Sequence, residues 1–476
     1  MKILFVASEC HPFIKTGGLG DVMGALPKAL AKEGNDVRVI IPKFKDIKYQ
    51  YKNEMQYLTN FEVNVGWRKQ YCGVLELYID GVTYYFIDNE YYFKRDGLYG
   101  YEDDGERFAF FDRAVLETLR HINWCPDILH CNDWQCGMIP VLHKLEYKKD
   151  YFYSKMKIVF SIHNLLFQGI FAPSILSDFF GYDMEQFNNG MLEYRGGVSF
   201  MKGAIQYSDR ITTVSKTYVE EIKTSWYGEG LDGLLRWKSE NIIGILNGID
   251  YDEYNPETDD LIYNNFSINN IEQKYINKVR LQRDLGLPEK EDIPVISIVS
   301  RLTNQKGIDL IINIADRLLQ NDVQLIILGT GDRGYEEHFK GLKYRYNDKV
   351  SANIFFDNNL AHKIYAGSDM FLMPSAFEPC GLSQLISLRY GTIPIVRETG
   401  GLKDTISPYN KYDITGNGFS FANYSAQELI NTIEEAIRTY YRKNEWNTII
   451  RNAMNSENSW SKSAMEYKEL YESLMI

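Results

Sequence analysis

The stretch KILFVASECHPFIKTGGLGDVMGALPKAL, residues 2–30, decides the fold class. Its first six residues, KILFVA (2–7), read as a strand buried on both faces. After a glycine turn, Leu19, Val22, Met23, Leu26 and Leu30 fall at helical spacing, and Gly34 is a C-cap signal. A second apolar run follows at 37–41 (VRVII), stopped by Pro42. Further runs at 82–87, 127–130, 157–162 and 210–214 alternate with helical stretches such as 106–121. Strand–helix alternation of this kind predicts a mostly parallel, doubly wound sheet.

The pattern then restarts. Residues 295–300 (VISIVS) read as a strand and 308–320 as a helix, followed by runs at 323–328, 353–356, 370–373 and 393–396. A chain of 476 residues exceeds what one core normally supports, so two α/β domains facing a cleft are expected. The turn-rich stretch GILNGIDYDEYNPETDD (244–260) suits a connection between them. The expected boundaries are a first domain over 1–245, a linker over 246–260 and a second domain over 261–455. Residues 456–476 read as a C-terminal helix, with the first domain as one place for it to dock.

Bulk properties narrow the function. The chain is 45% hydrophobic and 24% charged, ordinary for a globular protein, and has no apolar run approaching the ~20 residues that span a bilayer. The apolar start is too short for a secretory leader, and the six cysteines form no C-x-x-C pair. Reduced thiols in a cytoplasm are the expectation. A net charge of -12 argues against nonspecific binding to nucleic acid or anionic membranes. The 35 tyrosines fit either compositional bias or a sugar-binding surface.

In open α/β sheets, ligands bind beyond the carboxyl ends of the strands. Gly17, Gly18 and Gly20 let a ligand approach the backbone there; the following helix offers N–H groups to an anion, and Lys15 adds a charge. The alternative is a tight turn with a solvated lysine. The loop matches neither a Walker A motif nor G-x-G-x-x-G. HCNDW (130–134) places Asp133 past one strand, and SIHNLLFQG (161–169) places His163 and Asn164 past the next. A lone histidine is often structural, but polar residues repeated at strand ends favour a site. In the second half, SRLTNQKG (300–307) offers Arg301 and Lys306, which suit a diphosphate leaving group without a metal, or else are surface cations. SAFEPCGLSQ (375–384) offers the Glu378 carboxylate for sugar hydroxyls and Gly381, Leu382 and Ser383 at a helix start for phosphate. GTGDRG (329–334), with Asp357 after the next strand, matches a nicotinamide-cofactor fingerprint weakly. Asp250 and Asp252 have metal-like spacing but lie in the turn-rich linker with no His or Cys partner, so a solvated linker is the better reading.

KTGGLGDV, HCNDW, SIHNLLFQG, LNGID, SRLTNQKG, FEPCGLSQ and TGGLKDT occur in this order over residues 15–405. The ordered set resembles the bacterial glycogen synthases and plant starch synthases, glycosyltransferase family 5, over nearly the whole chain. The resemblance implies two Rossmann-like domains in the GT-B arrangement. It implies transfer of glucose from ADP-glucose to the non-reducing end of an α-1,4-glucan such as glycogen, with retention and without a metal or other cofactor. By matching motif, Lys15, Gly17 and Gly18 face the donor's phosphates and sugar, and Asp133, His163 and Asn247 line the glucosyl and acceptor site. Arg301 and Lys306 grip the diphosphate, Glu378 holds sugar hydroxyls, Gly381, Leu382 and Ser383 contact phosphate, and Phe356 aligns with a position that stacks on adenine. A second glutamate common in retaining GT-B enzymes, eight residues after the first, is Ile386 here. Same-face attack, with the leaving phosphate taking the acceptor's proton, is favoured over double displacement, because no residue stands out as the nucleophile. The alternatives are a UDP-glucose donor, a nicotinamide-dependent oxidoreductase and a non-catalytic glucan-binding protein.

Overall fold

A computed structural model describes residues 1–475 and divides the chain into two compact units: Met1–Asn247 with the segment from Trp460, and Gly248–Ser459. The main sheet of the first unit has nine strands: β1 (Lys2–Val6), β2 (Asp36–Pro42), β3 (Gln56–Val65), β4 (Arg68–Ile79), β5 (Val82–Asp88), β6 (Ile128–Asn132), β7 (Lys157–Ile162), β8 (Arg210–Thr213) and β9 (Ile242–Gly244). Their spatial order is β9-β8-β7-β6-β1-β2-β5-β4-β3. All neighbours are parallel except the β3–β4 and β4–β5 pairs. Ile3, Leu4, Phe5 and Val6 are fully buried, as a central parallel strand requires. The β3–β4 hairpin was not legible as strands: β3 buries Phe61, Val63 and Val65 on one face and exposes Glu62 and Asn64 on the other. Register aligns Val6 with Cys131 and Cys131 with Phe160, so the loops leaving β1, β6 and β7 start side by side.

The helix Trp460–Leu474 packs into this unit. Tyr471 hydrogen-bonds Nδ1 of the buried His130 at 2.6 Å, and Nε2 of that ring meets Ser161 Oγ at 2.6 Å.

The second unit has six parallel strands: β10 (Val295–Val299), β11 (Gln324–Leu328), β12 (Val350–Asn353), β13 (Met370–Met373), β14 (Ile393–Arg397) and β15 (Phe419–Phe421). Their order is β12-β11-β10-β13-β14-β15, with helices such as Ile308–Leu318 and Ala426–Tyr440 closing an apolar core. The strand expected at 353–356 lies earlier, and Ile354–Phe356 follow its end.

Residues 248–260 are not a tether: they belong to the second unit. Ile249 is buried, and the Asp259 carboxylate accepts hydrogen bonds from His362 Nδ1 (2.7 Å) and Tyr390 (2.5 Å). Asp250 accepts the Asp252 N–H at 2.8 Å, a local turn that explains their spacing.

Candidate active site

In the first unit, polar side chains gather where β1, β6 and β7 end. Asp133 leaves β6 at φ 56 and ψ 178, a region that costs a non-glycine residue about 1–3 kcal/mol. That backbone places its N–H on Ser161 O (3.0 Å) and its Oδ1 on the His163 N–H (2.8 Å). Burial, outweighing the backbone N–H groups of His163 and Asn164, pushes its carboxyl up to about 7, with the nearby Glu9 adding to the rise. At neutral pH the group is therefore poised between its two forms.

His163 is held by Asn132. The Asn132 amide nitrogen donates to Val6 O (3.0 Å) and His130 O (3.1 Å), which leaves Oδ1 to accept from His163 Nε2 at 2.9 Å. Nε2 therefore carries the proton, and Nδ1 keeps its lone pair. Burial lowers the imidazole to about 4, so the ring is neutral at physiological pH.

The glycine turn is organised from β1. The Glu9 carboxylate accepts from the Thr16 N–H (2.5 Å), the Gly17 N–H (3.3 Å), Thr16 Oγ (3.0 Å) and the Tyr99 hydroxyl (2.9 Å). The Gly17 N–H is thus committed internally, and what this turn offers a ligand is close approach and Lys15. Lys15 pairs with Asp21 at 2.7 Å, near the surface. Asn247, 7% exposed, leaves Oδ1 without a partner among the described residues.

In the second unit, the loops after β10, β13 and β14 meet. Lys306 Nζ lies 2.6 Å from Glu378 Oε2, which also accepts from Ser375 Oγ at 3.1 Å. Arg397 supports this loop by donating to Ser375 O (3.2 Å) and Ala376 O (2.6 Å). Gly400, at φ +45, sits where a Cβ would overlap the Glu378 carbonyl, and the Gly401 N–H donates to that carbonyl at 3.1 Å. The Arg301 side chain is exposed and has no protein partner among the described residues. Gly381, at φ +76, leads through Leu382 into the short helix Ser383–Arg389. Phe356 is 84% exposed beyond β12.

The GTGDRG glycines serve packing. A Cβ on Gly329 would overlap Ser300 O and one on Gly331 would overlap Leu302 O, so these glycines brace the Arg301 loop. Asp357 caps the helix Asn358–Gly367 by accepting the Leu360 N–H at 3.0 Å. Both features of the nicotinamide reading are thereby explained by the backbone.

The profile described as starch synthase catalytic domain matches residues 2–237, and that of glycosyl transferases group 1 matches residues 281–454. The chain is 64% identical over 475 residues to a glycogen synthase of Clostridium botulinum (strain Alaska E43 / Type E3), covering 100% of this chain and 99% of that protein. This chain belongs to the glycogen synthase and starch synthase family. It is also 65% identical over 475 residues to the glycogen synthase of Clostridium perfringens (strain 13 / Type A), covering 100% of this chain and 98% of that protein. Among solved structures, the catalytic domain of Arabidopsis thaliana starch synthase IV, bound to ADP and acarbose, matches with a TM-score of 0.92 and 34% identity, covering 100% of this chain and 99% of that one. A sucrose-phosphate synthase from Thermosynechococcus elongatus shares the fold, with a TM-score of 0.62 at 17% identity over 99% of this chain and 98% of that one. The family is one of glucosyl-transferring GT-B enzymes, and the α/β reading with two Rossmann-like domains stands.

Motif reading singled out Asp133, His163, Arg301, Lys306 and Glu378 and did not single out Glu9, Asn132 and Tyr99, which the structure places beside them or in hydrogen bonds with the first-unit residues. Glu9 and Asn132 stand at strand ends, a signal that would have found them. Tyr99 arrives from a loop with no such mark.

Proposed function

We propose that the chain transfers glucose from ADP-glucose to the non-reducing end of an α-1,4-glucan, with retention of configuration. The observation that carries this reading is the Lys306–Glu378 pair, with the unpartnered Arg301 guanidinium on the same loop as Lys306, in a chain of this family. Breaking the anomeric bond leaves positive charge on the sugar and negative charge on the diphosphate. Arg301 and Lys306 neutralise the second, and the N–H groups of Gly381, Leu382 and Ser383 add donors to phosphate. Lys306 exchanges its contact with Glu378 for the diphosphate, which releases Glu378 to hold sugar hydroxyls.

In the first unit, neutral His163 offers Nδ1 to a sugar hydroxyl, and its backbone carbonyl faces the developing positive charge. The free Oδ1 of Asn247 takes another hydroxyl. Lys15 meets the donor, and Phe356 stacks on adenine. The same-face route leaves the acceptor's proton on the departing phosphate oxygen, and two cations supply the stabilisation for which other enzymes use a metal.

No helix among the described residues is long and apolar enough to cross a membrane, and all six cysteines are free thiols. Both fit work in a reducing cytoplasm. Glucose incorporation into glycogen from ADP-glucose and UDP-glucose in parallel, with Lys306→Ala as control, tests the reading. Incorporation that prefers ADP-glucose and is lost in the variant supports it. Equal use of UDP-glucose, or full activity of the variant, overturns it.

A further inference from the structure

We propose that Glu9 is a positioning residue for the donor: its carboxylate holds the Lys15–Gly18 turn and the Tyr99 hydroxyl in one arrangement before substrate arrives. The role rests on the functional reading above and extends it to a residue that touches no substrate. Glu9 is 5% exposed and stands three residues beyond the end of β1. Both of its oxygens are committed. Oε2 takes the Thr16 and Gly17 N–H groups, and Oε1 takes the Thr16 and Tyr99 hydroxyls. Because the single Tyr99 proton goes to Glu9, Ser8 Oγ is the donor in the 2.7 Å contact between Ser8 and Tyr99.

Two features separate this arrangement from an ordinary turn. First, the helix Gly18–Lys32 has a glycine at its N-cap and no side-chain cap bond of its own, so a distant carboxylate orders its approach. The turn it orders, Lys15–Gly18, is exposed. Second, Glu9 lies near enough to Asp133 to raise that carboxyl's affinity for protons. Two neighbouring acids in a buried place oppose stability, and such arrangements gather at functional sites. The groups acting on Asp133 are Glu9 after β1 and the backbone N–H groups of His163 and Asn164 after β7; Asp133 in turn raises the Tyr99 and Tyr218 hydroxyls, which stay neutral beside it.

The test is Glu9→Gln in the full chain, with ADP-glucose and glycogen varied separately. An amide keeps the shape, but its NH2 side cannot accept the bonds that one carboxylate oxygen now accepts. The expected result is a donor KM raised about tenfold or more, since a misplaced contact costs up to 10²-fold, with glycogen KM little changed. The limb of the kcat/KM profile that reports Asp133 moves to lower pH as its negative neighbour is lost. A purely structural role lowers only the amount of folded enzyme and leaves the donor KM of the folded fraction unchanged. Thr16→Val removes one of the four bonds without disturbing the buried acid, so it must raise donor KM in the same direction. An unchanged donor KM in either variant, or an unmoved pH limb in Glu9→Gln, overturns the proposal. If Glu9→Gln does not fold, the Thr16→Val result alone decides. A wild-type chain that transfers no glucose sinks the functional reading itself, and this role with it.

Discussion

Replacing Asp133 by Asn should make the protein more stable at alkaline pH and far less active. The unfolded carboxyl titrates near 3.8, whereas the folded one is pushed up to about 7, chiefly by burial. Between these values the native state binds more protons than the unfolded chain, so the contribution of Asp133 is most favourable below 3.8 and is lost as pH rises through about 7. About three units at 1.36 kcal/mol each give an upper bound of about 4 kcal/mol. Part of the side chain reaches solvent, which screens the charge, so about 2 kcal/mol is the working figure. Asn keeps the oxygen that accepts the His163 N–H but carries no charge. Asp133→Asn should therefore exceed wild type by about 2 kcal/mol at pH 8, about 4 °C in melting midpoint, and by well under half of that at pH 5. Urea unfolding of both proteins at the two pH values reads this directly. Transfer should fall by up to about 10²-fold, because Asp133 positions the proposed glucosyl site and a misplaced contact there costs that much. A variant less stable than wild type at pH 8, or a difference equal at both pH values, refutes the reasoning.

Three further outcomes follow from the geometry. Gly400→Ala places a methyl group against the Glu378 carbonyl, so kcat should drop by about 10²-fold in a glucose-transfer assay. Tyr471→Phe leaves buried His130 Nδ1 without its partner, which should cost about 1–3 kcal/mol in denaturant unfolding with donor KM unchanged. Phe356→Ala should raise the KM for ADP-glucose by about tenfold, a loss of roughly 1–3 kcal/mol of base stacking, with glycogen KM unchanged.

The parallel strands were legible because each is an apolar run, and the strand-end loops carried most of the proposed site. The β3–β4 hairpin escaped because β3 buries only alternate residues and its exposed face dilutes the run. The segment 248–260 looks like a linker by composition, yet Asp259 is tied to His362 and Tyr390, partners more than 100 positions away. Lys306 and Glu378 read as two separate binding residues; their pairing across 72 positions depends on the meeting of the β10 and β13 loops. Glu9 escaped although it follows a strand end, because a carboxylate is ordinarily expected in solvent and only the fold brings four donors to it.

The central claim is tested most directly by the linkage of the transferred sugar. Glycogen incubated with the enzyme and ADP-glucose labelled in the glucose is digested with β-amylase, which removes maltose from non-reducing ends joined by α-1,4 bonds. The account predicts that the label is released as maltose and that no label is incorporated when Lys306→Ala replaces the wild type. Label that stays with the undigested core, or that appears only as free glucose, contradicts it.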